Sequence, residues 1–207
     1  MLDAYVWTTP NGEKLLIALE ELGLPHTLKW VNLGKDEQKK PEYLAVNPNN
    51  KIPAIVDHEG PDGAPIIVFE SGAVLLYLAD KAKKLVAASG RERYRALEWM
   101  FFNTGGAPLM GQLGYYKLLA KEKDPQAIER FTTETERQFG VLERRLGESR
   151  YLVNDEFSIA DVQNFTWPRA AKLHMGIEVG RYSNVSRWLD EIEARPTVKR
   201  ALALKPG

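Results

Sequence analysis

The 207-residue chain contains no cysteine. That removes disulfide bonds, thiolate metal sites and any nucleophile or redox couple carried on a protein thiol. Histidine is nearly as scarce: His26, His58 and His174 are the three, and they show no metal-ligand spacing. No metal is expected. No apolar run approaches the roughly 18–20 residues a membrane span requires. The opening MLDAYVWTTPNG has neither a charged start nor a long apolar stretch, so no secretory signal is read and a cytoplasmic location is the expectation. There is also no excess of either charge, with 28 basic against 28 acidic side chains. A balanced chain gives no reason to expect a nucleic-acid partner.

What is present changes character along the chain. Residues 1–80 carry 6 Lys, no Arg and 12 acids, whereas residues 81–207 carry 22 bases and 16 acids. The pattern shifts at the same place, from short apolar runs between turn clusters to sustained helical periodicity. Two domains are therefore expected, 1–82 and 91–207. In the first, Leu2–Trp7, Thr27–Asn32, Ala54–Asp57 and Ile66–Phe69 read as strands. Asn11–Gly23 reads as a helix closed by its glycine, and a second helix starts at Ser71 and runs to about Lys81. The order β-α-β-(loop or helix)-β-β-α describes a compact α/β domain. The second is all-helical, with helices near 91–120, 125–148, 158–172, 183–194 and 197–204. Gly105, Gly106 and Pro108 are expected to kink or break the first of these.

Several junctions carry two readings each. Pro53, in Asn50-Lys51-Ile52-Pro53-Ala54, either opens a strand in the trans form or is cis. In the cis form, the backbone of Ile52 turns outward to pair with an extended peptide. Ser71, at a strand-to-helix junction, either caps its helix or joins the helix N-terminus in holding a carboxylate. Glu70 beside it is either solvated or holds an ammonium group. Thr9 and Asn11 either cap the first helix or donate to an anion at its start, such as a thiolate. Ser158-Ile159-Ala160-Asp161 matches an acidic capping box and is read as a folding signal. Tyr5 and Trp7 share a strand face and are read as packing residues.

Taken in order and spacing, TTPNG at 8–12, NPNNKIPAIVD at 47–57, FESGAVLLYLAD at 69–80 and SIAD at 158–161 resemble the cytosolic glutathione transferase family over nearly the whole chain. Met110-Gly111-Gln112 adds to the likeness, which is closest to the nu-class and yeast nitrogen-regulator-like branch. The resemblance implies a thioredoxin-like N-terminal domain, an all-helical C-terminal domain and a homodimer. It implies that Pro53 is cis, that Ile52 pairs with the cysteinyl unit of glutathione and that Glu70 and Ser71 hold the γ-glutamyl end. It implies that Thr9 and Asn11 face the sulfur, that Gln38 reaches the glycyl end and Arg130 the ligand's outer face, and that Lys51 adds positive potential near the glycyl carboxylate. Glutathione, reduced or oxidised, is then the substrate. The activities implied are thiol–disulfide exchange on a small disulfide and conjugation of an electrophile; the alternative is a glutathione-binding regulatory or assembly module without catalysis. Phe102, Leu109, Met110, Tyr115 and Tyr116 are the candidate wall for the second substrate.

Overall fold

The computed structural model describes residues 1–206. In chain order its elements are β1 (Leu2–Val6), α1 (Pro10–Leu22), β2 (His26–Trp30), α2 (Pro41–Leu44), β3 (Ala54–Asp57), β4 (Ile66–Phe69), α3 (Ser71–Ala82), α4 (Gly90–Gly114), α5 (Pro125–Glu148), α6 (Ile159–His174), α7 (Ser183–Ala194) and α8 (Pro196–Ala203). Two compact units result: Met1–Ala88 together with Arg195–Gly207, and Ser89–Ala194.

In the first unit the strands lie in the order β2-β1-β3-β4. β1 pairs in parallel with β2, as a βαβ crossover through α1 requires, and antiparallel with β3, which continues into the β4 hairpin. This mixed sheet is thioredoxin-like. Strand alternation decides what covers each face. Leu2, Ala4 and Val6 are buried on one face, where the apolar sides of α1 (Leu15, Leu19, Leu22) and α3 (Val74, Leu75, Leu78) supply the core. Tyr5 and Trp7 point the other way and pack against Val31, Tyr43 and Ile52, so both are packing residues. α1 ends at Gly23, left-handed at φ 66°, whose N–H returns to the Leu19 carbonyl. Fully buried Asp57 at the end of β3 accepts from the Tyr77 hydroxyl (2.6 Å) and the Lys81 ammonium (2.7 Å), which ties the sheet to α3.

The join expected within 82–92 encloses the boundary after Ala88. The last helix, however, does not stay with the helical unit, and the division 91–207 is corrected accordingly. α8 packs on α1. Glu21, only 6% exposed at its side chain, accepts a two-pronged pair from Arg195 (Nε 2.7 Å, Nη2 2.8 Å) and a third bond from Thr197; Glu20 takes Arg200. Burial pushes the Glu21 carboxyl up, but these donors outweigh it and hold its pKa below the usual value. A depressed folded pKa stabilises above the ordinary carboxylate range, and that stability is lost as pH falls through the folded value. Glu21→Gln is therefore expected to cost about 2 kcal/mol at pH 7 and to raise amide exchange across α8. The difference from wild type should be full above the ordinary carboxylate range and shrink as pH falls through the depressed Glu21 pKa. Equal exchange at neutral pH would show that the apolar contacts of α8 suffice.

In the second unit α4 packs between α5 and α6, burying Ala96, Met100, Ala107, Met110 and Leu113. Of the kink or break expected at Gly105, Gly106 and Pro108, the break does not occur: α4 runs unbroken through Pro108, held by neighbours that override the local penalty. Gly106 serves close approach instead. A Cβ there would sit 2.1 Å from Oε1 of Gln138, whose amide donates to the Gly106 carbonyl at 3.3 Å. α4 gives way to a π-helical turn at Tyr115–Leu119. The capping box at Ser158 forms, and Asp161 also accepts from the Leu152 N–H and the Trp188 indole.

Candidate functional site

The β1–α1 junction is built from TTPNG. Thr9 turns back on Trp7 (N–H to carbonyl, 2.8 Å) and caps α1, its Oγ1 accepting from the Gly12 N–H at 3.2 Å. Pro10 occupies the first helical position, where its fixed φ and missing N–H do no harm. The cap bond uses a lone pair of the Thr9 oxygen; the hydroxyl proton remains for a second partner. Asn11, half-buried, follows on the first turn, where the helix dipole favours an anion. Thus capping and anion binding are compatible at Thr9.

The turn Asn47–Asn50 leads to the second edge of the site. Asn47 is buried; its Oδ1 accepts from Asn49 N and its Nδ2 donates to the Lys51 carbonyl at 2.7 Å. The Tyr43 hydroxyl donates to the same carbonyl at 2.5 Å, and burial raises that phenol well above its ordinary pKa. With the Lys51 carbonyl fixed by two donors, the chain passes through a cis Ile52–Pro53 bond into β3. Ile52 packs its side chain among Val31, Tyr43 and Trp7, directly beside the β1–α1 junction.

The third edge is the start of α3, and here the cap expectation is corrected. The N-cap is Glu70, not Ser71, which is the first helical residue. Glu70 adopts φ 69°, ψ 122°, seldom seen for a residue with a side chain, and makes no side-chain cap bond. The positive end of α3 is thereby offered to an external anion. Asn49 Nδ2 reaches Glu70 Oε1 at 3.4 Å, linking this edge to the preceding turn.

Thr9 and Asn11 thus lie at the β1–α1 junction, Ile52 packs against Trp7 just before it, and Asn49 joins Glu70 to the turn that precedes the exposed Lys51. Gln38 lies in a short 3₁₀ turn (Glu37–Lys39); its amide donates to Asp36 at 3.3 Å, and its buried Oε1 has no hydrogen-bond partner. Arg130 belongs to the other unit and lines a cavity of about 500 Å³ with Leu109, Phe131, Glu129 and Glu134. Of the candidate wall residues, Leu109 lines that cavity, Tyr116 stacks on its Phe131 (5.8 Å, 17°), Tyr115 is exposed, Met110 is core and Phe102 packs on Trp99. Among the described residues no group of three His, Asp or Glu side chains is placed to hold a metal ion, and no helix is long and apolar enough to cross a membrane.

Sequence reasoning missed Lys14, Asn47 and Asn49. Lys14 is buried on the apolar side of α1, and that helix's periodicity carried the signal. The two asparagines read only as turn formers, although turn asparagines characteristically bond nearby backbone.

Residues 8–81 match the family model of the glutathione S-transferase N-terminal domain, and residues 106–196 that of the C-terminal domain. The disulfide-bond oxidoreductase YfcG of Escherichia coli (strain K12) is 43% identical over 204 residues, which span 98% of this chain and 94% of that one. A glutathione transferase from Burkholderia graminis, solved with two glutathione molecules per subunit, superposes with a TM-score of 0.96 at 41% identity, covering 100% of this chain and 89% of that one. One from Pseudomonas putida, with one glutathione disulfide per subunit, gives a TM-score of 0.92 at 38% identity, covering 100% and 92%.

Proposed function

This chain belongs to the glutathione S-transferase family, and from that premise we propose that it is an enzyme that binds glutathione, ionises its thiol and uses the thiolate to reduce disulfides. The observation that carries the reading is the Thr9 hydroxyl: it caps α1 as an acceptor and keeps its proton for a sulfur anion at the same helix end. Asn11 is the second donor. The Ile52 backbone beside the cis bond pairs with the cysteinyl unit, Glu70 takes the α-ammonium group and Ser71 with the α3 N-terminus takes the α-carboxylate. Lys51 and the unpartnered Gln38 oxygen serve the glycyl end; that oxygen suits a ligand N–H rather than its carboxylate. Arg130 lines a cavity within the second unit whose size suits a peptide thiol or an electrophile.

Because the chain has no cysteine, each sulfur in the reaction comes from a ligand. One glutathione thiolate attacks a sulfur of the substrate disulfide; the S–S bond breaks and the other half leaves as a thiolate that takes up a proton. A second glutathione thiolate attacks the mixed disulfide, releasing the second thiol and forming glutathione disulfide. Two glutathiones are oxidised for one disulfide reduced. Exposed Ile67 and Phe69 in the first unit and Tyr94 and Phe101 in the second are apolar surface suited to a homodimer.

The test is reduction of a small dithiol-forming disulfide by the purified protein, followed through the thiols released. Turnover is expected only with free glutathione, at a stoichiometry of two glutathiones per disulfide. Conjugation of an aryl halide without disulfide reduction would leave a transferase of the conjugating kind. Calorimetric binding of glutathione with no turnover of either substrate class would make the protein a binding module.

A further inference from the structure

The sheet face turned away from α1 and α3 carries a recess of its own. Strand alternation puts Tyr5 of β1 and its parallel partner Lys29 of β2 on that face. The connection from β2 through α2 supplies Lys40, Glu42 and Tyr43, and the five residues line a cleft of about 300 Å³, with Glu37 beside them. One side of it is aromatic: the Tyr5 and Tyr43 rings lie 5.8 Å apart at 59°. The Tyr43 hydroxyl is spent on the Lys51 carbonyl, whereas that of Tyr5 has no hydrogen-bond partner among the described residues.

The charged groups around the cleft are unevenly used. Glu37 accepts from the Asn32 N–H at 2.8 Å and is committed to its own turn. Lys40 stands 3.7 Å from Glu37 and Lys29 stands 3.9 Å from Asp3. Both separations exceed a normal hydrogen bond, so each ammonium keeps donors for another partner. The Glu42 side chain makes no ion pair or hydrogen bond among the described residues. Two loosely held cations and one free carboxylate beside an aromatic surface match a ligand that carries both charges next to a ring. A ligand of one charge would leave the opposite set unmatched and face its own sign.

We propose that this cleft is a binding site for a small aryl zwitterion, an amino acid with an aromatic side chain. The ring lies against Tyr5 and Tyr43, the carboxylate is met by Lys29, Lys40 and the Tyr5 hydroxyl, and the ammonium group by Glu42. The inference goes beyond the thiol chemistry, in which none of the residues that meet the ligand's charges has a part.

Phenylalanine is titrated into the isotope-labelled full chain and followed by amide chemical shifts. Changes are expected at Lys29 to Val31 and at Glu37 to Tyr43, with a Kd of about a millimolar. Hydrocinnamate, which lacks the ammonium group, and phenethylamine, which lacks the carboxylate, should each bind about three- to fivefold more weakly. Alanine, which lacks the ring, should bind about tenfold more weakly or worse. Glu42→Gln is expected to bring phenylalanine down to the level of hydrocinnamate, and Lys29→Gln/Lys40→Gln to that of phenethylamine. All three positions are exposed, so both variants should fold. Saturating glutathione should not displace phenylalanine. Displacement by glutathione, shifts confined to other residues, equal affinity for phenylalanine and both singly charged analogues, or an affinity that neither variant changes overturns the proposal.

Discussion

Removing both donors at the start of α1, in Thr9→Ala/Asn11→Ala, is expected to return the bound thiol to its solution pKa near 8.5, about two units above its value in the wild-type site. Each charge-assisted bond contributes about 1.5 kcal/mol or a little more, roughly one unit. At pH 6 the population of thiolate then falls about 75-fold. A more basic thiolate is also a better nucleophile, with a sensitivity of about 0.4–0.5 per unit, which returns close to a factor of ten. Ionisation wins at low pH, and activity should be about tenfold lower. By about pH 9 both sites are largely ionised, and the variant should equal or overtake wild type. The bound thiol pKa is read from thiolate absorbance against pH, and rates from a disulfide for which thiolate attack is limiting. An unchanged thiol pKa would remove Thr9 and Asn11 from the mechanism. A rate defect of the same size at every pH would mean that they orient the sulfur and do not ionise it. Thr9→Ser is the control, because it keeps both the cap acceptor and the hydroxyl proton.

Much of the framework was legible because local signals and tertiary structure agree. β3 and β4 lie at the expected residues, and α1, α3, α5, α6 and α7 begin and end within two residues of the periodic segments. In each case an apolar stripe, a cap residue or a closing glycine marks the boundary. Pro53 had two readings on its own residues, and only the family likeness favoured the cis form that the chain adopts. The misplaced cap at Ser71 has a different origin. Serine is the better cap by propensity, but the turn from β4 puts the irregular backbone on Glu70, a choice made by the path of the chain. The return of α8 to the first unit depends on Glu21, Arg195 and Thr197, which lie about 175 residues apart in sequence, and no window of sequence brings them together.

Gly12→Ala is expected to be the most damaging single-methyl change in the first unit. The reason is distance, not backbone freedom: Gly12 lies within α1, and its neighbour across the turn is a backbone atom. A Cβ at this position would stand 1.9 Å from the Trp7 carbonyl oxygen and 3.1 Å from Cγ2 of Val6. Neither can yield cheaply. The Trp7 oxygen is held by the Thr9 N–H at 2.8 Å, and Val6 is wholly buried in the sheet core. Relief therefore requires the first turn of α1 to lift from β1, and that turn carries the Thr9 cap bond to Gly12 itself. A destabilisation of about 3 kcal/mol follows, or roughly 6–12 °C in Tm for a chain of this size. Activity should fall further than stability does, by about a hundredfold, since an ångström of displacement at Thr9 and Asn11 misplaces the sulfur. Thermal unfolding and disulfide turnover on the same preparation separate the two effects. Wild-type turnover in Gly12→Ala would mean that the β1–α1 junction tolerates a shift that the thiolate geometry should not, and the placement of the sulfur at this helix end would fall with it.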